Sequence, residues 1–403
     1  MKEFNAPRSN AYCAALSAII MVYSLLCWGN LLVNAIDAFS RGIGFSDISR
    51  GEDSQPPSGK ASPTSTSTTQ SLHTRLRNTC KHLDAIAKGA GNCWSSYSLW
   101  QSELSKYDAF ASYQLTKHVY SCQVIQGKSE KFLFYVSQTD GDTVADFEGS
   151  NRYDQSEMNR ISKATQTMEG HFKTNEIGTV ILVNPNKENV YYEDMPDKYT
   201  HASVSRTDEL VAYLRADGVN AVYCKKDLLE NKGVTQLYYS YDTHWNQAGA
   251  YIGTALALRS LGIPVLPLHK RDLDIFKLNG NYHDAASDGL ARMIGLQKIF
   301  DDENEIIVKG TIRPDWDNPG REIPKVPRFT NPNAPRKEIL LVIGDSFRVA
   351  MIPLLSEVFA DLWVAHRDDY TPEMLKQINP RYIIFEYVER YSNRIGNIEK
   401  LIK

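Results

Sequence analysis

The sequence predicts an α/β fold, in which helices cover both faces of a mostly parallel central sheet. Apolar runs of strand length alternate with amphipathic stretches of helical period, as in chains that build parallel sheets. Several of these runs are continuously apolar, which is typical of strands that are covered on both faces. Short polar sequences follow directly after two of the runs, where ligands and catalytic groups gather in open α/β sheets. Together these patterns favour an α/β/α sandwich.

The first half of the alternation begins with "KFLFYV" (131–136), which is read as a strand. An amphipathic helix is predicted over 156–172, and "TVILVNP" (179–185) is a buried strand. The next helix, 206–218, ends at a glycine, and "VNAVYC" (219–224) is another strand. A long helix follows over 246–262, with Asn246 as its N-cap.

The second half resumes after residue 335. Strands are predicted over 338–344, 362–366 and 381–388, and helices over 349–361 and 371–379. Between the halves, 263–335 is rich in Pro, Asn and Asp, with short β-like runs such as "EIIVKGTI". We interpret it as an insertion or accessory lobe within a domain that spans 131–403.

The N-terminal part indicates attachment to a membrane. Residues 11–36 contain no charged side chain, and Asp37 is the first charged residue after them. The segment is long enough to span a bilayer as one helix. Lys2 and Arg8 precede the segment, so residues 1–10 are expected in the cytoplasm and the rest of the chain outside it. A cleaved signal peptide, with "VNA" (33–35) at its cleavage site, and a buried core helix are the alternatives. The predicted location is therefore the cell membrane, with a single-pass anchor and an extracytoplasmic domain in the periplasm or on the outer cell surface.

Two further segments join this anchor to the α/β domain. Residues 37–71 include a Ser/Thr/Pro-rich stretch that cannot bury enough apolar surface to fold, so a flexible linker is predicted. Residues 72–130 mix aromatic residues with helical spacing and are read as a helical lead-in.

The charge balance bears on the class of partner, and the cysteines bear on possible disulfides. The 45 basic and 48 acidic residues give a net charge of −3 without a basic stripe, which argues against nucleic acid as a partner. Outside the cell, Cys80, Cys93, Cys122 and Cys224 could form disulfides, in pairings that the sequence leaves open. A buried free thiol is the alternative for Cys224.

The first candidate catalytic group is Ser346, in "LLVIGDSFRVAMIPLL" (340–355). An apolar strand ends at Gly344, and Asp345 and Ser346 precede a helix. A serine at such a junction can expose its hydroxyl beside a helix N-terminus, which favours negative charge. The alternative is that Asp345 and Ser346 only cap the helix.

The second candidate group is "DTHW" (242–245), just before the predicted helix 246–262. A serine nucleophile needs a base, and that base needs an acid to orient it. In an irregular segment Asp242 can contact one nitrogen of His244 while the other nitrogen faces Ser346. His283 and His366 are rival bases without the compact acid-x-His arrangement. Neither metal-ligand spacing nor a phosphate-binding glycine loop occurs, so no cofactor is expected.

These motifs lie within a longer set of blocks. "KFLFYVSQTDGDTVADFEGSNRY" (131–153), "VILVNPNKENVYYEDMP" (180–196), "DTHWNQAGAY" (242–251), "LLVIGDSF" (340–347) and "YIIFEYVERY" (382–391) occur in this order. In these blocks the chain resembles the alginate O-acetyltransferases, the DHHW/DTHW-motif group of the SGNH/GDSL hydrolase-like superfamily. The resemblance covers about residues 95–395.

The resemblance implies a fold and a set of roles. It implies an SGNH-hydrolase-like sandwich with Ser346 as nucleophile, His244 as general base and Asp242 as its orienting acid. Candidates for oxyanion stabilisation or substrate binding are Asn184, Asn186, Lys187, Trp245 and Arg348, with a turn, a solvated charge, loop packing or a covered helix start as their structural alternatives.

The implied activity is acetyl transfer to hydroxyls of a secreted polysaccharide through an acetyl-serine. The acetyl group would be relayed by a multi-pass membrane O-acyltransferase partner rather than held on a cofactor. A carbohydrate acetylesterase with the same triad and a non-catalytic polysaccharide-binding or assembly subunit remain alternatives. The polymer, its acetylated hydroxyl and the oligomeric state stay open.

Overall fold

The structure is a computed structural model that describes residues 109–278, 289–311 and 319–402. The predicted cytoplasmic segment, anchor and linker, residues 1–71, lie outside these residues, as do most of the predicted lead-in and His283. Within the described ranges, the helices are too short or too polar to cross a membrane.

The strands are numbered in chain order. They are β1 Val124–Gln126, β2 Leu133–Tyr135, β3 Gly178–Asn184, β4 Ala221–Tyr223, β5 Leu273–Lys277, β6 Asn304–Val308, β7 Gly320–Ile323, β8 Val326–Thr330, β9 Arg336–Gly344, β10 Phe359–His366 and β11 Tyr382–Val388.

The helices that follow residue 130 are numbered in the same way. They are α1 Thr143–Glu148, α2 Gln155–Thr174, α3 Lys187–Val190, α4 Arg206–Ala216, α5 Lys225–Asn231, α6 Gln247–Ser260, α7 Gly289–Met293, α8 Ile352–Val358 and α9 Pro372–Ile378. Short 3₁₀ helices cover Tyr192–Asp194, Lys270–Asp272, Ser346–Met351 and Glu389–Leu401.

The main sheet has seven strands in the order β4-β3-β11-β9-β10-β8-β7. The first five are parallel, and β8 and β7 extend the β10 edge as antiparallel strands. In the centre of the sheet, Phe385 of β11 lies opposite Ile181 of β3 and Ile343 of β9. The predicted mostly parallel α/β sheet is therefore present.

The strand side chains alternate between two buried clusters, one on each face. Leu182, Val342 and Ile384 face the cluster to which α6 and α8 contribute. The neighbouring residues Ile181 and Ile343 face the other cluster, with α2, α4 and α9. Because strand side chains point alternately to opposite faces, continuously apolar strands require this covering on both sides.

One predicted strand lies outside the main sheet, and one predicted helix is shorter than expected. The apolar run 131–136 does form a strand, β2, but β2 pairs with β1 in a separate antiparallel sheet. The helix predicted over 349–361 is a 3₁₀ turn followed by α8, and it ends at Val358. Phe359 is fully buried and begins β10, because a buried aromatic residue packs well on a pleated surface.

The regions around the α/β core also differ from simple expectation. The end of the predicted lead-in contains a helix at 109–116 and then strand β1. The region 263–335 holds the β5–β6 pair and α7, but its last part forms β7 and β8 of the main sheet. Part of this region therefore belongs to the central architecture. Cys122 is exposed and Cys224 is buried, and both carry free thiols.

Candidate active site

The serine turn lies at the carboxyl end of β9. Asp345 caps the following 3₁₀ helix, since its Oδ1 accepts the Phe347 N–H at 3.0 Å. Its Oδ2 accepts the N–H of Val388, at the end of β11, at 2.9 Å. Ser346 is exposed, and its hydroxyl points to the imidazole of His244. The capping alternative thus applies to Asp345 but does not explain the direction of the Ser346 hydroxyl.

Gly344 is required by a close approach from the neighbouring strand. A Cβ atom at this position would lie 2.3 Å from Glu386 Oε2 and 2.8 Å from Glu386 Cβ. Glu386 Oε2 accepts the Asp345 N–H at 2.9 Å, so the carboxyl group fixes the backbone just before the serine. Burial, together with the nearby Asp345 carboxylate, raises the pKa of Glu386 well above its ordinary value. The glycine therefore leaves room for a carboxyl group that supports the serine turn.

Asp242, His244 and Ser346 form a continuous hydrogen-bonded series. Asp242 Oδ1 lies 2.5 Å from His244 Nδ1, and His244 Nε2 lies 2.6 Å from Ser346 Oγ. When Nδ1 carries the proton and donates a hydrogen bond to the Asp242 carboxylate, Nε2 is free of a proton and can accept the one from the serine hydroxyl. Although burial opposes ionisation of Asp242, the imidazole and the N–H donors around it keep the pKa of this carboxyl below its ordinary value. Asp242 can therefore orient the base as an anion.

The loop that carries this pair, residues 239–244, is called the relay loop below. It is closed by a hydrogen bond from Tyr239 N–H to His244 O at 3.1 Å. Asn246 then caps α6 by accepting the N–H groups of Ala248 and Gly249, as the sequence predicts.

Trp245 joins the relay loop to the serine turn. Its buried indole Nε1–H donates to the Phe347 carbonyl at 3.0 Å, and the two rings lie 5.5 Å apart. The Phe347 ring is in turn 4.8 Å from the His244 ring. This placement corresponds to the loop-packing alternative for Trp245.

The structure places Asn184 and Asn186 in the framework behind the site. Asn184 is fully buried at the end of β3, and its amide donates to Glu386 Oε1 at 2.7 Å. Asn186 donates its backbone N–H to Glu389 and its side-chain amide to Asp146. Both amide groups are thus engaged with buried carboxyl groups rather than brought together with Ser346.

Lys187 and Arg348 also have structural partners. Lys187, predicted as a rim or solvated loop charge, is only 1% exposed, and its ammonium donates to carbonyls of the relay loop. Arg348 donates from Nη1 to the Asp345 carbonyl at 2.6 Å, so it covers the start of the 3₁₀ helix. Burial lowers the pKa of Arg348.

The rival histidine His366 lies at the end of β10. Its Nδ1 accepts the Asp368 N–H at 3.2 Å, and its partly exposed side chain forms a local turn with that residue. The serine hydroxyl is within hydrogen-bond distance of His244 instead.

Two contacts from the region 263–335 were missed in the sequence. Gly289 N–H, at the start of α7, donates to Asp242 Oδ2 at 2.8 Å. Glu303 is buried, and its Oε2 accepts the N–H groups of Ser240 and Tyr241. A backbone N–H and a lone glutamate leave no motif, so only the folded arrangement reveals them. In contrast, Glu386 could have been identified from the sequence, since it belongs to the quoted block 382–391.

Glu303 is expected to make folding stability depend on pH. Burial raises its pKa from 4.5 to about 7, so the folded protein binds this proton more tightly than the unfolded chain does. Its contribution to stability is therefore greatest at or below about pH 4.5 and falls by about 3 kcal/mol as pH rises through 7. In the Glu303→Gln variant this loss should disappear. Urea unfolding of both proteins between pH 4.5 and 8 measures it, and equal pH slopes would contradict the assignment.

The described residues contain no group of three or more His, Cys, Asp or Glu side chains arranged to hold a metal ion. The arrangement that they do contain is an exposed serine, an imidazole and a buried carboxylate in series at the carboxyl edge of a parallel sheet. Serine-dependent acyl-transfer enzymes use such a series to activate the hydroxyl.

A family model defines the class further. Residues 143–270 match the family described as the SGNH hydrolase-like domain of acetyltransferase AlgX. This match supports an SGNH-like domain similar to those of the alginate O-acetyltransferase-like family, and the resemblance predicted from the sequence is confirmed.

Solved structures of low sequence identity are similar to the chain. Bacillus cereus PatB1 with a sulfonyl adduct is 15% identical, with 70% of this chain and 100% of that chain covered and a TM-score of 0.48. A DHHW family protein from Eubacterium siraeum is 15% identical, with coverages of 71% and 98% and a TM-score of 0.46. The O-acetyltransferase domain of Pseudomonas putida AlgJ is 15% identical, with coverages of 68% and 98% and a TM-score of 0.40.

Because these identities and TM-scores are low, the family assignment rests on the match over residues 143–270. A comparison with curated protein sequences found no match.

Proposed function

We propose that the protein is a membrane-anchored, extracytoplasmic O-acetyltransferase that acetylates hydroxyls of a secreted polysaccharide. The observation that carries this proposal is the series Asp242–His244–Ser346, in which the serine is exposed and the carboxylate is buried. The family match supports acetyl transfer as the type of reaction. The uncharged segment 11–36 supports the anchor.

In the first half-reaction, Ser346 Oγ attacks the carbonyl carbon of an acetyl donor while His244 Nε2 takes the hydroxyl proton. The imidazolium then returns this proton to the leaving group of the donor, and an acetyl-serine remains. The Ser346 N–H is at the first position of the 3₁₀ helix, where an intrahelical acceptor does not exist. It is therefore suited to stabilise the oxyanion.

In the second half-reaction, a sugar hydroxyl attacks the acetyl-serine. His244 removes the hydroxyl proton and gives it to Ser346 Oγ as the serine leaves, so the acetyl group ends on the sugar and the enzyme is regenerated. The acetyl group would reach this side of the membrane through a multi-pass membrane O-acyltransferase, because coenzyme A is cytoplasmic. No step needs a cofactor on this chain.

An esterase would share the acetyl-serine and differ only in that water attacks it. The full-length protein in detergent would be given an activated aryl acetate and candidate polysaccharides, and both polymer-bound acetyl and free acetate would be measured. A gain of acetyl on a polymer, lost in Ser346→Ala, supports the transferase. Acetate release with no gain on any polymer, or removal of acetyl from an acetylated polymer, would establish an esterase instead.

A further inference from the structure

Three backbone carbonyls of the relay loop accept hydrogen bonds from one buried ammonium group. Lys187 Nζ donates to the backbone carbonyls of Tyr239, Ser240 and Asp242, at 3.2, 3.1 and 2.6 Å. An ammonium has three N–H donors, so three loop carbonyls match its full capacity. The stem of Lys187 comes from α3, directly after β3, and is therefore anchored in the central sheet.

The amide side of the same loop is held by a buried carboxyl group. Glu303 Oε2 accepts the N–H groups of Ser240 and Tyr241 at 2.5 and 3.3 Å. Its Oε1 accepts the Asn304 N–H and the side-chain amide of Gln236. Glu303 is fully buried and comes from the region 263–335. It follows the relay loop in the sequence, whereas Lys187 precedes it.

These two groups bear on the position of the acid that orients His244. The relay loop has no helix or strand of its own to pair its backbone groups, and buried backbone polar groups need partners. The 2.6 Å bond to the Asp242 carbonyl fixes the backbone of the very residue whose side chain holds His244 Nδ1. A small displacement of this backbone would separate the carboxylate from the imidazole.

We infer that Lys187 and Glu303 are positioning residues that clamp the relay loop between them, so that Asp242 and His244 stay aligned with Ser346. This inference rests on the proposed function, because it assigns the pair a part in activating the serine. It also explains why two ionisable side chains are buried here without touching the serine or the imidazole in the described hydrogen bonds.

The alternative is that these residues stabilise the fold without affecting the alignment of Asp242 and His244, and the test must distinguish the two roles. The charged groups that face Lys187 are Glu188, Asp194, Asp242 and Glu303, and the rings of Phe132 and Phe134 lie within 5.7 Å of its ammonium. Removal of this positive charge would leave Asp242 less compensated. The imidazolium form of His244 would then be favoured, and the acid side of the pH–rate profile should move to higher pH.

The test compares Lys187→Met and Glu303→Gln with Lys225→Met in the full-length protein. Lys225 is also a buried lysine, but its ammonium pairs with Asp208 in the first turn of α4. Acylation by an activated aryl acetate gives kcat, KM and the pH profile, and thermal unfolding reports stability. We expect kcat to fall about 10²-fold in both clamp variants with KM unchanged, as for a catalytic group that is displaced by about 1 Å. The acid limb should shift upward in Lys187→Met, and Lys225→Met should keep the wild-type kcat and profile.

A second readout does not depend on turnover. The proton shared by His244 Nδ1 and Asp242 should give a strongly downfield NMR resonance in the wild type and in Lys225→Met, and this resonance should be lost in both clamp variants. Clamp variants that keep kcat, pH profile and resonance while losing stability like Lys225→Met would overturn the inference. If Lys187→Met does not fold, Glu303→Gln decides. If the wild type shows the resonance but no acylation, the proposed function fails while the resonance still tests the clamp.

Discussion

Replacement of Ser346 by alanine is expected to reduce acyl transfer by roughly 10⁴- to 10⁶-fold, because the hydroxyl that accepts the acetyl group is removed. His244→Ala should have an effect of the same order, and the double variant should be no worse than either single variant, since the groups act as a unit. Acetate release from an activated aryl ester measures all three. The fold should be retained, because Ser346 is exposed and its hydroxyl contacts only the imidazole among the described hydrogen bonds.

Ser356→Ala is a matched control for this experiment. Ser356 is buried in α8, and its hydroxyl has no hydrogen-bond partner in the part of the chain that the structure describes. Its removal should leave the rate unchanged. Activity of Ser346→Ala at the level of Ser356→Ala would show that the nucleophile has been assigned to the wrong residue.

Asp242→Asn should lower kcat by about 10⁴-fold with little change in the fold. The carboxylate offers one oxygen to His244 and the other to the Gly289 N–H, whereas an amide has a single acceptor oxygen. If that oxygen faces Gly289, the NH₂ group donates to Nδ1 and forces the proton of the imidazole onto Nε2. If it faces His244, two donors meet at Gly289, and in both orientations the negative charge that stabilises the imidazolium is gone.

The same kinetic assay applies to this variant, with Asp361→Asn as its control. Asp361 is a carboxylate near the start of β10 that pairs with Arg328 of the neighbouring strand β8. The control should retain the wild-type rate. A wild-type rate in Asp242→Asn at neutral pH would mean that His244 does not need this acid, and another orienting group would have to be sought.

Features that depend on neighbouring residues could be predicted from the sequence. The capping of α6 by Asn246 and the strand-to-helix turn at Gly344 are both present. The spacing of Asp242 and His244 was also sufficient, because a side-chain contact across two residues of an irregular segment needs no distant information. The position of Ser346 at the sheet edge could be predicted because the carboxyl ends of parallel strands lie at one edge.

Features that depend on distant pairing could not be predicted in the same way. The run 131–136 has the composition of a sheet strand, but its partner β1 lies outside the central sheet. Phe359 satisfies a helical period as well as a strand, and pairing with β9 decides between them. Gly289 and Glu303 contact the relay loop from residues 47 and 63 positions away in the sequence, where spacing carries no signal.

The path of the region 263–335 restricts how this protein can diversify. Several groups of this region contact the relay loop, among them the Gly289 N–H and the Glu303 carboxyl group, and the last part of the region joins the main sheet as β7 and β8. A chimera that exchanges the whole region for that of a relative would therefore exchange part of the support of Asp242 along with the surface. Changes to the surface of this region between these contacts would therefore be easier to evolve or engineer than replacement of the whole region.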